Sequence, residues 1–269
     1  MRLKDRVALI TSAAHPCAGA IAVGFAREGA DCAIVDRQLS KAEQLAADIR
    51  PLGRRTLALE LDVTQKAQVE DAVLQTVAEL GRIDILLNCS AVEHASNFLS
   101  FSEQDFNDCI DRGPKAYFLL AQAVGRHMAE QSSGKIINLS STDAHIASGE
   151  SAGNSAAYSS IDSMTRAIAQ AMGFYGVNTN ALLAGPMNYF PGSAEEVGER
   201  IRRIPLGRMG KPDDLVGAAI FLASSESNFV SGASVCVDAG YANAAVTEDG
   251  FRPPWGKVWA PFEIPPGKR

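Results

Sequence analysis

The chain has 269 residues, 46% of them apolar, and its 25 Lys and Arg against 31 Asp and Glu give a formal net charge of −6. That length and apolar share suit one large α/β domain with a sizeable core, while the acidic balance and the lack of any Lys/Arg cluster exclude a nucleic-acid partner. Five scattered cysteines (Cys17, Cys32, Cys89, Cys109, Cys236) show no CxxC pair or metal-ligand spacing, no apolar run reaches membrane-spanning length, and the first strand starts almost at once; we therefore expect a cytoplasmic chain with reduced thiols, no metal, no signal peptide and no membrane partner.

In chain order, apolar runs of strand length fall at Val7–Thr11, Asp31–Val35, Arg55–Leu59, Ile83–Asn88, Lys135–Leu139, Val177–Leu182 and Ala233–Val237, separated by amphipathic helical segments. Such alternation predicts an α/β fold, a Rossmann-like doubly wound sheet of about seven parallel strands with helices on both faces. Residues 1–246 read as a single domain and 247–269 as a tail carrying five of the twelve prolines and both tryptophans, Trp255 and Trp259. An extended Pro-rich segment with large aromatics suits a partner surface, so we expect the tail to lie across a neighbouring subunit.

The chemistry-bearing stretches follow the strands. RVALITSAAHPCAGA spans the first strand and its turn; Asp36 closes the second strand, Asp62-Val63-Thr64 follows the third, and Asn88-Cys89-Ser90-Ala91 the fourth. The segment Asp105–Glu130 reads as a long helix with packing positions Phe118, Leu119, Ala123 and Val124, and Gly113-Pro114 inside it predicts a break or kink. GKIINLSSTDAHIASGESAGNSAAYSSIDSMTRAIAQ, from Gly134 to Gln170, joins a buried strand to a small-residue helix.

These blocks resemble the short-chain dehydrogenase/reductase family. Its cofactor entrance TGxxxGxG carries glycines where this chain has Ser12, Pro16 and Ala18. Pro16 lacks an amide hydrogen, and the glycines of such a turn let backbone amides approach a pyrophosphate, so the resemblance implies a helix kept and a phosphate cradle filled. Asp36 occupies the position that accepts the ribose hydroxyls of NAD, and Asp62 and Asn88 match positions near the adenine; each also has a plain architectural use as a turn or cap residue.

Anchoring on Asp162-Ser163-Met164-Thr165-Arg166-Ala167 and counting back places the family's tyrosine on Asn154 and its lysine on Tyr158, and the thirteen-residue step from Ser141 to Asn154 agrees. The family's Asn, Ser, Tyr, Lys relay thus falls on Gly113, Ser141, Asn154 and Tyr158. Asn154 cannot exchange a proton near neutral pH and Tyr158 supplies no cation. After the sixth strand, NTNALLAGPMNYF shifts the expected proline from Ala184 to Pro186, and Phe190–Arg203 reads as a short substrate loop. The block from Ile204 to Ala244 is nearly intact; Pro212, Asp213 and Asp214 begin a helix, and the resemblance implies that this block packs on a second subunit.

These losses lead us to expect a noncatalytic, pseudoenzyme subunit with no cofactor of its own. It would form a hetero-oligomer, such as a heterotetramer, with a catalytically intact paralogue that holds NAD and acts on an acyl-CoA-linked hydroxy compound. Two alternatives stay open. One is a cofactor-independent lyase, hydratase or isomerase using His145 or His94 with Asp143, near Glu93; the other is an NAD-dependent oxidoreductase with a relocated proton donor.

Overall fold

The structure is a computed structural model describing residues 1–89, 94, 96–146, 151–189 and 193–243, together with the backbone of 246–247 and 250–251. Seven strands, β1 (Val7–Thr11), β2 (Asp31–Asp36), β3 (Thr56–Glu60), β4 (Ile85–Asn88), β5 (Gly134–Ser141), β6 (Val177–Ala184) and β7 (Ser234–Val237), form one sheet in the order β3-β2-β1-β4-β5-β6-β7. Every neighbouring pair in it is parallel. Chain direction along the sheet reverses between β1 and β4, which opens a crevice at their carboxyl ends.

Strand alternation divides the core into two layers. Ile10, Ile34, Leu87 and Ile137 face one layer with α1 (Pro16–Arg27), α2 (Leu39–Ile49) and α8 (Asp213–Ala223). Their neighbours Leu9, Val35, Leu86 and Ile136 face the other, with α3 (Lys66–Leu80) and α5 (Ala116–Glu130). Central strands buried on both faces are what helices on both sides require.

The segment expected as one helix from Asp105 to Glu130 is two. The first, α4 (Glu103–Ile110), joins α5 through a π-helical turn, Asp111–Lys115, where Gly113 takes φ −91° and ψ −112° ahead of Pro114. Proline cannot donate to the preceding turn, and the backbone opens there. A side chain on Gly113 would also meet the Ala157 methyl at 3.3 Å, so this kink sits against α6 (Ala152–Gly173). Of the expected packing positions on α5, Ala123 and Val124 are buried while Phe118 is 45% exposed.

Within the stretch read as a loop, residues 194–202 form a helix, α7 (Ala194–Arg202), started by a capping box in which Ser193 and Glu196 exchange side-chain and backbone hydrogen bonds. Beyond the sheet, Val246–Thr247 pairs antiparallel with Gly250–Phe251. Trp255 and Trp259, with the rest of the expected docking tail, lie outside the described residues.

Candidate functional site

The turn after β1 keeps its course without glycine. Ser12 takes φ +58°, a left-handed conformation that costs a residue with a side chain about 1 kcal/mol. Its amides are then used up inside the protein. Ala13 donates to Val35 O (3.4 Å), His15 to Ser12 O (2.9 Å) and Gly19 to His15 O (3.1 Å). The Ala14 amide reaches Asp36 Oδ2 at 2.9 Å, and the Cys17 amide reaches His15 Nδ1 at 3.3 Å. Pro16 has no amide hydrogen.

His15 is thus the N-cap of α1. Because its Nδ1 accepts from Cys17, the ring proton sits on Nε2, which faces the Tyr189 hydroxyl at 3.5 Å. The two rings meet edge to face with centroids 5.5 Å apart, and the same hydroxyl lies 3.7 Å from Cys17 Sγ.

Burial pushes the His15 imidazole from 6.5 down to about 4. The folded chain therefore refuses a proton that the unfolded chain accepts, and stability falls as pH drops through that window, by up to about 3 kcal/mol. Urea unfolding of wild type and His15→Asn, which keeps a capping oxygen but does not titrate, should show the variant losing less stability between about pH 7 and about pH 4.5.

Beside this turn a groove of about 360 Å³ is lined by Ser12, Asp36, Arg37, Asp62, Val63 and Arg112. Asp36 spans it from below, one carboxylate oxygen on Ala14 and the other accepting from the Gln38 amide at 3.0 Å. Asp62 Oδ1 accepts from both the amide (3.0 Å) and the hydroxyl (2.7 Å) of Thr64. Partial burial pushes the Asp62 carboxyl up, but these bonds and the charges of Arg37 and Arg112 leave it below the ordinary carboxylate value. Asn88 turns inward instead, donating to Asn138 Oδ1 at 2.8 Å, and Asn138 donates to Thr165 Oγ1 at 2.8 Å. Its role is to bind β4 to β5 and α6.

The relay positions separate in the same way. Ser141 ends β5, and its hydroxyl accepts from the Asp143 amide at 3.1 Å; burial raises the Asp143 carboxyl. Tyr158 is buried in a small cluster with Tyr117 and Ile161. Asn154, also buried, accepts from the His94 amide at 3.3 Å and faces Cys109 Sγ at 3.6 Å. Gly153 permits this approach, since a Cβ there would stand 2.7 Å from the Phe101 ring.

The pairing expected between a loop histidine and Asp143 does not occur among the described residues. His145 Nε2 lies 3.7 Å from Asp162, which is also held by Arg166 at 2.6 Å and by the Ser234 hydroxyl. His94 instead points Nδ1 at Asp105 Oδ1, 3.4 Å away. Asp105 is fixed in turn by Ser102, the N-cap of α4, which donates to its Oδ2 (2.7 Å) and accepts from its amide (3.0 Å). The other ring nitrogen of His94, Nε2, is buried without a hydrogen-bond partner among the described residues. His94 is among the histidines expected from sequence, but its partner is Asp105 in place of Asp143; the one sequence signal for Asp105 is Ser102-x-x-Asp105, a capping pattern. Glu93 lies outside the described residues.

A parallel doubly wound sheet whose first turn, acidic β2 end and β5–α6 pair meet at one crevice is the build of a nucleotide-linked oxidoreductase. Residues 13–242 match the family model described as Enoyl-(Acyl carrier protein) reductase. The chain belongs to the short-chain dehydrogenase/reductase family. It is 34% identical over 245 residues to subunit BbsD of the (2S)-[(R)-hydroxy(phenyl)methyl]succinyl-CoA dehydrogenase of Thauera aromatica, covering 89% of this chain and 98% of that one. It is 32% identical to gluconate 5-dehydrogenase of Gluconobacter oxydans, covering 87% and 93%. Among solved structures it is similar to a gluconate 5-dehydrogenase from Burkholderia cenocepacia in complex with NADP and tartrate, with TM-score 0.87, 33% identity and coverage of 90% and 97%.

These relatives correct the expectation of a noncatalytic subunit. Across nearly their whole length they are named as dehydrogenases, and none is named as an inactive companion. The losses at Gly113, Asn154 and Tyr158 therefore do not establish loss of activity.

The family's nucleotide can be tested against the residues present. The groove at Asp36, Asp62 and Val63 suits an adenosine end. The turn from Ser12 to Gly19 does not suit a pyrophosphate as it stands, because its amides already have partners and Tyr189 lies against His15 and Cys17.

Proposed function

We propose that this chain is an NAD(P)-linked oxidoreductase of the short-chain dehydrogenase class, interconverting an alcohol and a carbonyl on a hydroxy acid or its thioester, with its proton carrier relocated to His94. The observation that carries this reading is the His94–Asp105 pair, with the His94 amide donating to Asn154 and its Nε2 buried without a hydrogen-bond partner among the described residues. The substrate class is supported by three relatives named as dehydrogenases of hydroxylated acids or of such an acid's CoA thioester, beside others named for glycerol and threitol.

The chain's own part is to hold the reacting oxygen and move its proton. Asp105 takes the Nδ1 hydrogen and so leaves Nε2 with a lone pair, the form in which imidazole accepts a proton from an alcohol. In the opposite direction the same nitrogen returns the proton to the oxygen. Ser141, at the end of the neighbouring strand, supplies a hydroxyl for that oxygen. A bound nicotinamide would supply the hydride exchange.

The purified homomer, assayed with NAD and NADP against gluconate, polyols and hydroxyacyl-CoA thioesters, should change the absorbance of the nicotinamide. A homomer silent with both nucleotides across that panel, while binding neither, sinks the reading.

A further inference from the structure

The filled phosphate turn and the oxidoreductase reading have to be reconciled, and the residues that fill the turn show how. We infer that Tyr189 and His15 form a latch across the N-terminus of α1, so that the folded chain accepts the adenosine half of a nucleotide and admits its pyrophosphate only when Tyr189 withdraws. This rests on the proposed function in assuming a dinucleotide ligand.

Three features support the latch. Tyr189 comes from the far side of the crevice, after β6, 174 positions from His15 in the chain. It touches both residues flanking Pro16, through its hydroxyl and ring to His15 and through its hydroxyl to Cys17. The groove lined by Asp36, Arg37, Asp62 and Arg112 runs up to His15 and Pro16, and Tyr189 is not among its lining residues. The loop that carries Tyr189 is itself anchored, because Met187 bridges to Gly210 and the Asn188 amide donates to Gly210 O at 2.8 Å. The contact is therefore a defined packing of two tethered segments.

A protein that binds only in its minor state shows an affinity reduced by the fraction in that state. If the latch is closed in about nine of ten molecules, removing it tightens dinucleotide binding about tenfold and leaves a ligand that stops short of the turn unaffected.

The test is calorimetric titration of the full chain, as wild type, Tyr189→Phe and Tyr189→Ala, with adenosine and with NAD and NADP. Adenosine should bind all three equally, while NAD or NADP binds Tyr189→Ala at least about tenfold more tightly than wild type. Tyr189→Phe, which keeps the ring and loses the hydroxyl, should fall between them. A readout free of nucleotide accompanies it. Cys17 is fully buried, and mass spectrometry after brief alkylation should find it labelled faster in Tyr189→Ala, in a chain whose thermal transition stays cooperative.

Equal and measurable dinucleotide affinities in wild type and Tyr189→Ala overturn the latch and leave the oxidoreductase reading standing. Absence of dinucleotide binding in every variant overturns both. Unchanged Cys17 labelling also overturns the latch, because Tyr189 would then not cover the turn.

Discussion

Replacing His94 by Asn is expected to lower kcat by about 10²- to 10⁴-fold while KM changes little, because a positioned acid–base group contributes in the transition state more than in the bound ground state. The change removes Nε2, the nitrogen left free to accept the proton when Asp105 holds Nδ1 at 3.4 Å, and keeps a polar side chain of smaller size. Asp105→Asn should cost less than His94→Asn, since the imidazole stays but loses the carboxylate that fixes its proton on Nδ1. Ser102→Ala should cost least, as it removes only one support of Asp105 along with the cap of α4. Tyr158→Phe separates this account from its nearest rival. Tyr158 is packed with Tyr117 and Ile161, so turnover should stay within about tenfold of wild type, below what a general acid contributes. Measured steady-state rates with the opposite ranking, Tyr158→Phe crippled and His94→Asn near normal, would make Tyr158, one helical turn beyond Asn154 on α6, the proton carrier and reject the role given to His94.

The fold was legible because its signal is repeated. β1 spans Val7–Thr11 as expected, and the other strands shift by a few residues at their ends, as with β5, which runs on from Leu139 to Ser141. The Gly113-Pro114 break was legible too, since proline's missing donor acts locally. α7 was within reach and went unread, although Ser193-Ala-Glu-Glu196 spells a capping box. The site was less legible for a physical reason. His94 and Asp105 meet where a loop packs on a helix start, and His15 meets Tyr189 across 174 positions of chain, so no periodicity announces either contact. Counting positions against the family identified which familiar groups are missing. It could not say which other groups stand near the vacated positions, and the expectation of a noncatalytic subunit followed from that gap.

Asp84→Ala is expected to destabilise the chain by about 3 kcal/mol, because it leaves the buried Val7 amide without its charged acceptor. Asp84 precedes β4 at the amino edge of the sheet and is 3% exposed. Its Oδ1 takes Arg6 at 2.8 Å and Arg82 at 2.7 Å, and its Oδ2 accepts from the Val7 amide at 2.9 Å. Its own backbone joins β1 and β5, donating to Val7 O at 2.8 Å and accepting from the Lys135 amide at 2.9 Å. The side chain therefore closes the edge of three adjacent strands. Its partners are far less committed: the Arg6 and Arg82 side chains are 48% and 44% exposed. Arg6→Ala or Arg82→Ala alone should cost only about 0–1 kcal/mol, since water replaces much of what each guanidinium provides. Asp84→Asn should fall between, keeping one acceptor for Val7 and losing the charge. For a chain of this size a loss of about 3 kcal/mol corresponds to a Tm drop of roughly 6–12 °C, measurable by calorimetry. If the arginine variants prove as damaging as Asp84→Ala, the cation pairs rather than the buried carboxylate and its amide bond set the stability of this edge.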